Sequence, residues 1–220
     1  MRTAAVLPVK SFSRAKRRLG DALGDGEREQ LAAAMVADIL SALAAVDGIA
    51  DVVMVTAEPL AARAAEHVGA AVVDDPDEAG QSAAAGRGID AALVRGADRA
   101  LLVPGDCPAA DPQELAELLR RAGEPPSAVI VPDRHGSGTN ALLLSPAGVV
   151  APSFGTGSFA RHAARSRAVG ATVQVCELPS LALDVDTPDD LAALRTALEQ
   201  RPGAAARTRA VLERLVHAGV

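Results

Sequence analysis

Asp184 and Asp186 stand two residues apart in the run Leu183-Asp184-Val185-Asp186-Thr187-Pro188-Asp189-Asp190-Leu191. In an extended chain, residues i and i+2 project to the same side. Two carboxylates side by side repel unless a cation lies between them. Thr187, Pro188 and the acids after them read as a helix start: a Thr N-cap, Pro at the first helical position and negative charge in the first turn. The segment therefore reads as a ledge for a divalent metal. Asp106, in Pro104-Gly105-Asp106-Cys107-Pro108, follows a run of apolar residues and is expected at the same sheet edge as a third carboxylate. Three acids and a triphosphate satisfy one or two Mg²⁺ ions, which take oxygen ligands from a few carboxylates plus phosphate.

Positive charge is concentrated elsewhere. Lys10, Arg14, Lys16, Arg17 and Arg18 place five cations within nine residues, directly after the first apolar run. In open α/β sheets the C-terminal ends of the strands are where ligands sit. Dense charge with many donors suits a polyphosphate there, although a solvated loop would also be basic. Gly136-Ser137-Gly138-Thr139-Asn140 precedes a strand-like run, and Phe154-Gly155-Thr156-Gly157-Ser158 leads into a helix with Ser158 placed to cap it. Glycines there would let backbone donors approach a phosphate or carboxylate, and a helix N-terminus favours an anion. Asp74-Asp75, followed by Pro76, reads as a surface turn. Asp189 and Asp190 need no more than the helix dipole to account for them.

These groups must be positioned by alternating strands and helices, which argues an α/β fold with a mostly parallel sheet. Strands are expected at 3–9, 51–56, 70–73, 100–103, 129–131, 141–144 and 172–178. Helices are expected at 28–45, 60–68, 81–95, 111–121, 158–168, 189–200 and 204–217. The first helix shows the four-residue recurrence Leu31, Met35, Ile39, Leu43. The short Gly-containing link between the fifth and sixth strands suggests a hairpin and so a mixed sheet. The expected organisation is one domain over 1–201, with 202–220 as a loosely attached helical tail of the same domain.

Apolar residues make up 49% of the 220, enough for a sizeable core, but aromatics are only 1%, so Ala, Leu and Val must build it. A formal charge of -6 argues against bulk binding to nucleic acid, though not against a local basic patch. Cys107 and Cys176 form neither a CxxC nor a zinc spacing and read as buried thiols. With no transmembrane run or secretory signal in view, the expected setting is the cytoplasm, away from membranes. There is no GxSxG and no GxxxxGK[ST], so neither an α/β-hydrolase nor a P-loop NTPase is indicated. The basic loop, the mid-chain aspartate and the late Asp-x-Asp together suggest metal-assisted attack on a nucleotide α-phosphate, the protein positioning reactants and neutralising charge.

Taken in order, LPVKSFSRAKRRL, PGDCP, PDRHGSGTNALLL, FGTGSFARH and LDVDTPDDL resemble the phosphoenolpyruvate or 2-phospho-L-lactate guanylyltransferases of coenzyme F-420 biosynthesis, over about residues 3 to 195. The resemblance implies a single-domain GT-A-like (Rossmann-like) nucleotidyltransferase fold. It also implies transfer of GMP from GTP to phosphoenolpyruvate with Mg²⁺ as cofactor, releasing pyrophosphate. It puts the acid-substrate contacts on Thr139, Gly155 and Ser158, and the Mg²⁺ aspartates on Asp106, Asp184 and Asp186. The basic loop on the GTP side falls on Lys10, Lys16 and Arg18, with Lys10, Lys16 and Asp106 as the catalytic groups. The implied partners are GTP, the phosphorylated acid and, by functional coupling, the next enzyme of the pathway. Where the family often carries Gly-Leu-Asn, this chain has Gly80-Gln81-Ser82, which places Ser82 near the base or ribose. Other acceptors (2-phospho-L-lactate, 3-phosphoglycerate), another nucleotidyltransferase of the molybdenum-cofactor type and a non-catalytic nucleotide binder remain open alternatives at this point.

Overall fold

The computed structural model describes residues 1–20 and 22–217. Its centre is β1 (Thr3–Val9), buried at every position and therefore apolar on both faces rather than alternating. β1 pairs in parallel with β2 (Ile49–Thr56) on one side and β4 (Arg99–Leu102) on the other, and β2 continues to β3 (Ala71–Asp74). Beyond β4 lie β6 (Thr139–Ser145), β5 (Ser127–Pro132) and β7 (Thr172–Val175), giving the order β3-β2-β1-β4-β6-β5-β7. β6 is antiparallel to both its neighbours, and β5 and β6 form the expected hairpin.

That reversal matters for the site. The C-terminal ends of β1 and β4 and the N-terminal end of β6 all reach one edge of the sheet. The strand order changes direction between β1 and β4, the switch point at which such sheets place ligands. Thr139 and Asn140 are therefore delivered to the same edge as the loops after β1 and β4.

Helices cover both faces. On one side, α1 (Asp25–Ala44), α2 (Pro59–His67) and α4 (Pro112–Arg120) share a core with the odd residues of β1, in which Ile39, Leu40, Leu115 and Leu118 join Leu7 and Leu101. On the other, α3 (Gln81–Val94) covers Ala4 and Val6 of β1, and α5 (Ser158–Ala168) packs on β5 and β7. Gly88 lets α3 lie directly on β1: a Cβ there would sit 2.2 Å from Val6 Cγ1 and 3.0 Å from Val55 Cγ2. α1 starts one turn earlier than its apolar period suggests, because Glu27 reaches back to accept the Gly24 N–H at 2.7 Å.

The C-terminal region differs from expectation. α6 (Pro188–Gln200) and α7 (Ala206–His217) pack on the outer face of α1, where Leu191, Leu194, Leu198, Val211, Leu212 and Leu215 join Leu31 and Met35 in a third core. Asp38, buried on α1, accepts the Thr208 N–H at 2.8 Å and the Arg207 N–H at 3.2 Å, capping α7 from another helix. The tail is thus docked rather than loosely attached; residues 218–220 of the expected 202–220 segment lie outside the described residues. Among the described residues, no helix is long and apolar enough to cross a membrane.

Candidate active site

The loop after β1 folds into two short 3₁₀ turns, Phe12–Arg14 and Arg17–Leu19. Buried Phe12 and Leu19 anchor the turns from below. Between them Lys16 takes a left-handed backbone (φ 53°), unusual for a residue with a Cβ. The effect is to turn its side chain inward, leaving it 7% exposed. The ammonium lies 2.6 Å from Asp106 Oδ2 and 3.0 Å from Asp186 Oδ1. Burial opposes the charge on Lys16, but the Asp106 and Asp186 carboxylates outweigh it and hold the ammonium above the usual lysine range. Glu78 clasps the loop from the β3 side. It accepts the Ser11 N–H and hydroxyl at 2.8 Å each and pairs with Arg14 at 2.7 Å. The Ser11 N–H and the Arg14 guanidinium draw the Glu78 carboxyl down to about 2.

Asp184 and Asp186 lie in an irregular extended segment rather than a strand, tied to the β4 loop by the Val185 N–H donating to the Asp106 carbonyl at 3.2 Å. Of the three sequence-selected acids, Asp106 and Asp186 converge on Lys16. Asp184 turns instead to Asn140, whose Nδ2 donates to it at 3.1 Å and to the Leu181 carbonyl at 2.8 Å. Burial and the nearby Asp106 charge raise the Asp184 pKa. Among the described residues no three His, Cys, Asp or Glu side chains converge into a metal cage. Mg²⁺ does not require one, since it is commonly held by one or two carboxylates, water and substrate phosphate. Two observations fit a cation here. Asp106 Oδ1 is buried without a hydrogen-bond partner, and the Lys16 ammonium already bridges two carboxylates as a positive charge must.

Asp190 does more than serve the helix dipole. Its Oδ2 accepts from the Thr187 hydroxyl at 2.7 Å and from the Thr187 and Asp186 N–H groups at 2.8 and 3.1 Å; its Oδ1 faces Arg134 at 2.5 Å. The Thr187 side chain answers with the Asp190 N–H, closing a capping box. The acidic ledge is therefore shaped by the first turn of α6.

Two hollows open at this edge. The first, about 220 Å³, is lined by Lys10, Arg14, Lys16, Asp75, Glu78 and Gln81, among others. The second, about 370 Å³, includes Arg18, Ser137, Thr139, Gly155, Ser158 and Asp184. They share Gln81, Pro104, Asp106 and Asp186. The carboxylate pair thus stands at the seam between a pocket with a lysine-rich wall and a pocket with a Thr/Gly/Ser wall. Lys10 is exposed at the rim of the first.

Several expectations change. Arg18 faces the second pocket, not the one lined by Lys10 and Lys16. Ser82 lines neither; its hydroxyl accepts the Phe154 N–H at 2.8 Å, fastening α3 to the glycine loop, and Gln81 beside it reaches both hollows. Gly80, at φ +110°, sets this helix start. Ser158 is the first residue of α5 rather than its cap, which is Gly157 at φ +73°. The Ser158 and Phe159 N–H groups are already taken by the Gly155 and Ser137 carbonyls, at 2.9 and 3.2 Å, so that helix end offers fewer free donors than expected. Asp75 is buried and paired with Arg87, not part of an exposed turn. Cys107 and Cys176, by contrast, are buried free thiols as expected.

Asn140, Arg134 and Arg161 also shape the site, and no local sequence pattern assigns them that role. The Arg161 guanidinium gathers the carbonyls of Ser153, Phe154, Gly155 and Thr156, holding the glycine loop closed. His162, beside it, is fully buried and bonded to Thr139 and to the Ser153 backbone.

Comparisons agree with this architecture. A putative nucleotide-diphospho-sugar transferase from Desulfovibrio desulfuricans superposes with a TM-score of 0.75 at 18% identity, covering 99% of this chain and 98% of that one. A nucleotidyl transferase from Methanothermobacter gives 0.66 at 20% identity, over 90% and 98%. Both show the nucleotidyltransferase fold. In sequence, the chain is 49% identical to the phosphoenolpyruvate guanylyltransferase of Conexibacter woesei, over 98% of this chain and 97% of that protein. It is 40% identical to that of Streptomyces coelicolor over the full length of both. The profile of the family described as "Guanylyl transferase CofC like" matches residues 3–201. The chain belongs to this family of CofC-like guanylyl transferases, and is a nucleotidyltransferase.

Proposed function

We propose that the protein transfers GMP from GTP to phosphoenolpyruvate, with Mg²⁺, giving enolpyruvyl-2-diphospho-5′-guanosine and pyrophosphate in coenzyme F-420 biosynthesis. The observation that carries this reading is the seam: Asp106 and Asp186 border both hollows. A transferase joining two phosphorylated molecules needs a shared cationic centre between them. GTP is assigned to the hollow of Lys10 and Lys16, and the acceptor to the hollow of Thr139, Gly155, Ser158 and Arg18. The names of the sequence relatives support the acceptor and the guanylyl group.

An oxygen of the acceptor phosphate attacks the GTP α-phosphorus. The bond to the β-phosphate breaks, and a P–O–P anhydride forms as pyrophosphate leaves. The acceptor phosphate is already a nucleophile, so no general base is required; the work is orientation and charge neutralisation. Lys10 and Lys16 neutralise the triphosphate. Asp106 and Asp186, with Asp184 behind them, would hold Mg²⁺, which when bound offsets charge at the reacting phosphates. Pyrophosphate release should require both GTP and phosphoenolpyruvate and be abolished by Asp184→Ala. Undiminished turnover in that variant would refute the metal role.

A further inference from the structure

The second hollow holds a problem for an anionic ligand. Asp106, Asp133, Asp184, Asp186 and Asp190 all line it, against Arg18 and His135. An anion seated there depends on directed donors as well as on net charge. The hydrogen positions around Thr139 can be worked out from its neighbours.

The Ser153 N–H donates to His162 Nε2 at 2.8 Å, so that nitrogen carries no hydrogen. The ring is fully buried, and burial, followed by the Arg161 and Arg165 charges, lowers its pKa to about 4. It is therefore neutral at pH 7, and its one hydrogen is on Nδ1. Nδ1 lies 3.0 Å from Thr139 Oγ1, so this bond runs from imidazole to hydroxyl. The threonine hydroxyl is left with its own hydrogen to give. Its bond to His162 is the only one that hydroxyl makes among the described residues. Edge-on contact with Phe154, with ring centroids 5.1 Å apart, fixes the imidazole plane.

We infer that His162 is a positioning residue that fixes Thr139 as a hydrogen-bond donor to the acceptor molecule, so that the group met there is a proton-free oxygen of a phosphoryl or carboxylate group. The inference rests on the reading of this hollow as the acceptor pocket. A hydroxyl free to rotate could serve a donor or an acceptor equally; one already receiving a hydrogen bond from His162 turns its hydrogen toward an acceptor.

Two measurements test it. Nitrogen-15 spectra of the ligand-free protein, with His162→Gln used to assign the signal, should show the His162 hydrogen on Nδ1. A hydrogen on Nε2 overturns the inference, and this result does not depend on which acid is the substrate. Steady-state kinetics with GTP and phosphoenolpyruvate form the second arm. An Asn amide can stand where Nδ1 stands, so His162→Asn should keep the phosphoenolpyruvate KM within a few-fold. His162→Gln reaches the Nε2 position and leaves Thr139 unfixed; its phosphoenolpyruvate KM should rise about tenfold, with the GTP KM little changed. Thr139→Val should cause a similar rise, and adding His162→Gln to it should cost nothing further. Additive losses, equal behaviour of the Asn and Gln variants, or an equal rise in both KM values would contradict the assignment. Absence of wild-type turnover with phosphoenolpyruvate would count against the proposed function, while the spectra would still decide the tautomer.

Discussion

Replacing Asp190 with Ala removes a side chain that serves two structures at once. Its Oδ2 accepts three hydrogen bonds at 2.7 to 3.1 Å from Thr187 and Asp186, and its Oδ1 meets Arg134. Despite its burial, the Thr187 contacts hold the carboxyl below its ordinary pKa, so the group lost is an ionised one. Half of a capping box is worth about 1 kcal/mol. The Asp186 N–H and the Thr187 hydroxyl, both part-buried, lose an acceptor as well, for about 1 kcal/mol between them. Arg134 is 29% exposed and water can take up its charge, so the broken pair costs about 1 kcal/mol rather than the larger value of a dry one. The expected destabilisation is about 3 kcal/mol by urea unfolding, at an unchanged m-value. Asp190→Asn keeps an acceptor oxygen and should lose about 1 kcal/mol less. Because the same oxygen shapes the turn that carries Asp186, turnover should fall in both variants even where the protein is fully folded. An Ala variant destabilised by less than about 1 kcal/mol, with normal turnover, would show that the acidic ledge holds its shape without Asp190.

Gly88→Ala should destabilise the protein even though Ala is the better helix former by about 1 kcal/mol. The new Cβ would meet Val6 Cγ1 at 2.2 Å, where carbon contacts need about 3.5 Å, so β1 and α3 must separate. A net loss of about 2 kcal/mol is expected, partly restored by Val6→Ala; a neutral result would mean the helix does not rest on β1 this closely. Stability should also fall with acid in a defined window. Unfolded, His162 titrates near its ordinary 6.5, whereas folded it titrates at about 4. As pH drops the unfolded chain binds the proton first, so the contribution present above about pH 6.5 is lost on the way down to pH 4, by about 3 kcal/mol in full. Urea midpoints across that range should show the loss, and His162→Gln should flatten it.

Where the local signal and the final contact coincide, the sequence was informative. β1 is an unbroken apolar run because it is buried on both faces, and α5 spans the residues its pattern suggests. α6 begins at Thr187-Pro188 because cap and proline act within one turn. The same holds for Asp106 and Asp186, which emerge together because both follow apolar segments ending at one edge. Long-range partners were not legible. Asp75 resembles a turn residue until Arg87, twelve positions away, closes on it. Asp184 resembles the twin of Asp186 until Asn140 turns it aside. Ser82 and Gln81 differ by one helical step of about 100°, which depends on the backbone of Gly80 and sends one to the glycine loop and the other to the seam. α7 looked detachable because its cap, Asp38, lies 170 residues before Thr208.

On the proposed function, the Asp106–Asp186 seam joins two specific ligands, GTP and phosphoenolpyruvate. The most direct test offers purified protein GTP, Mg²⁺ and an equimolar mixture of phosphoenolpyruvate, 2-phospho-L-lactate and 3-phosphoglycerate, and weighs the products by mass spectrometry. Enolpyruvyl-2-diphospho-5′-guanosine should dominate, with one pyrophosphate released per molecule formed and none in Asp106→Asn or Asp186→Asn. Exclusive formation of the phospholactate product, or product formation undiminished in both Asn variants, would contradict the account.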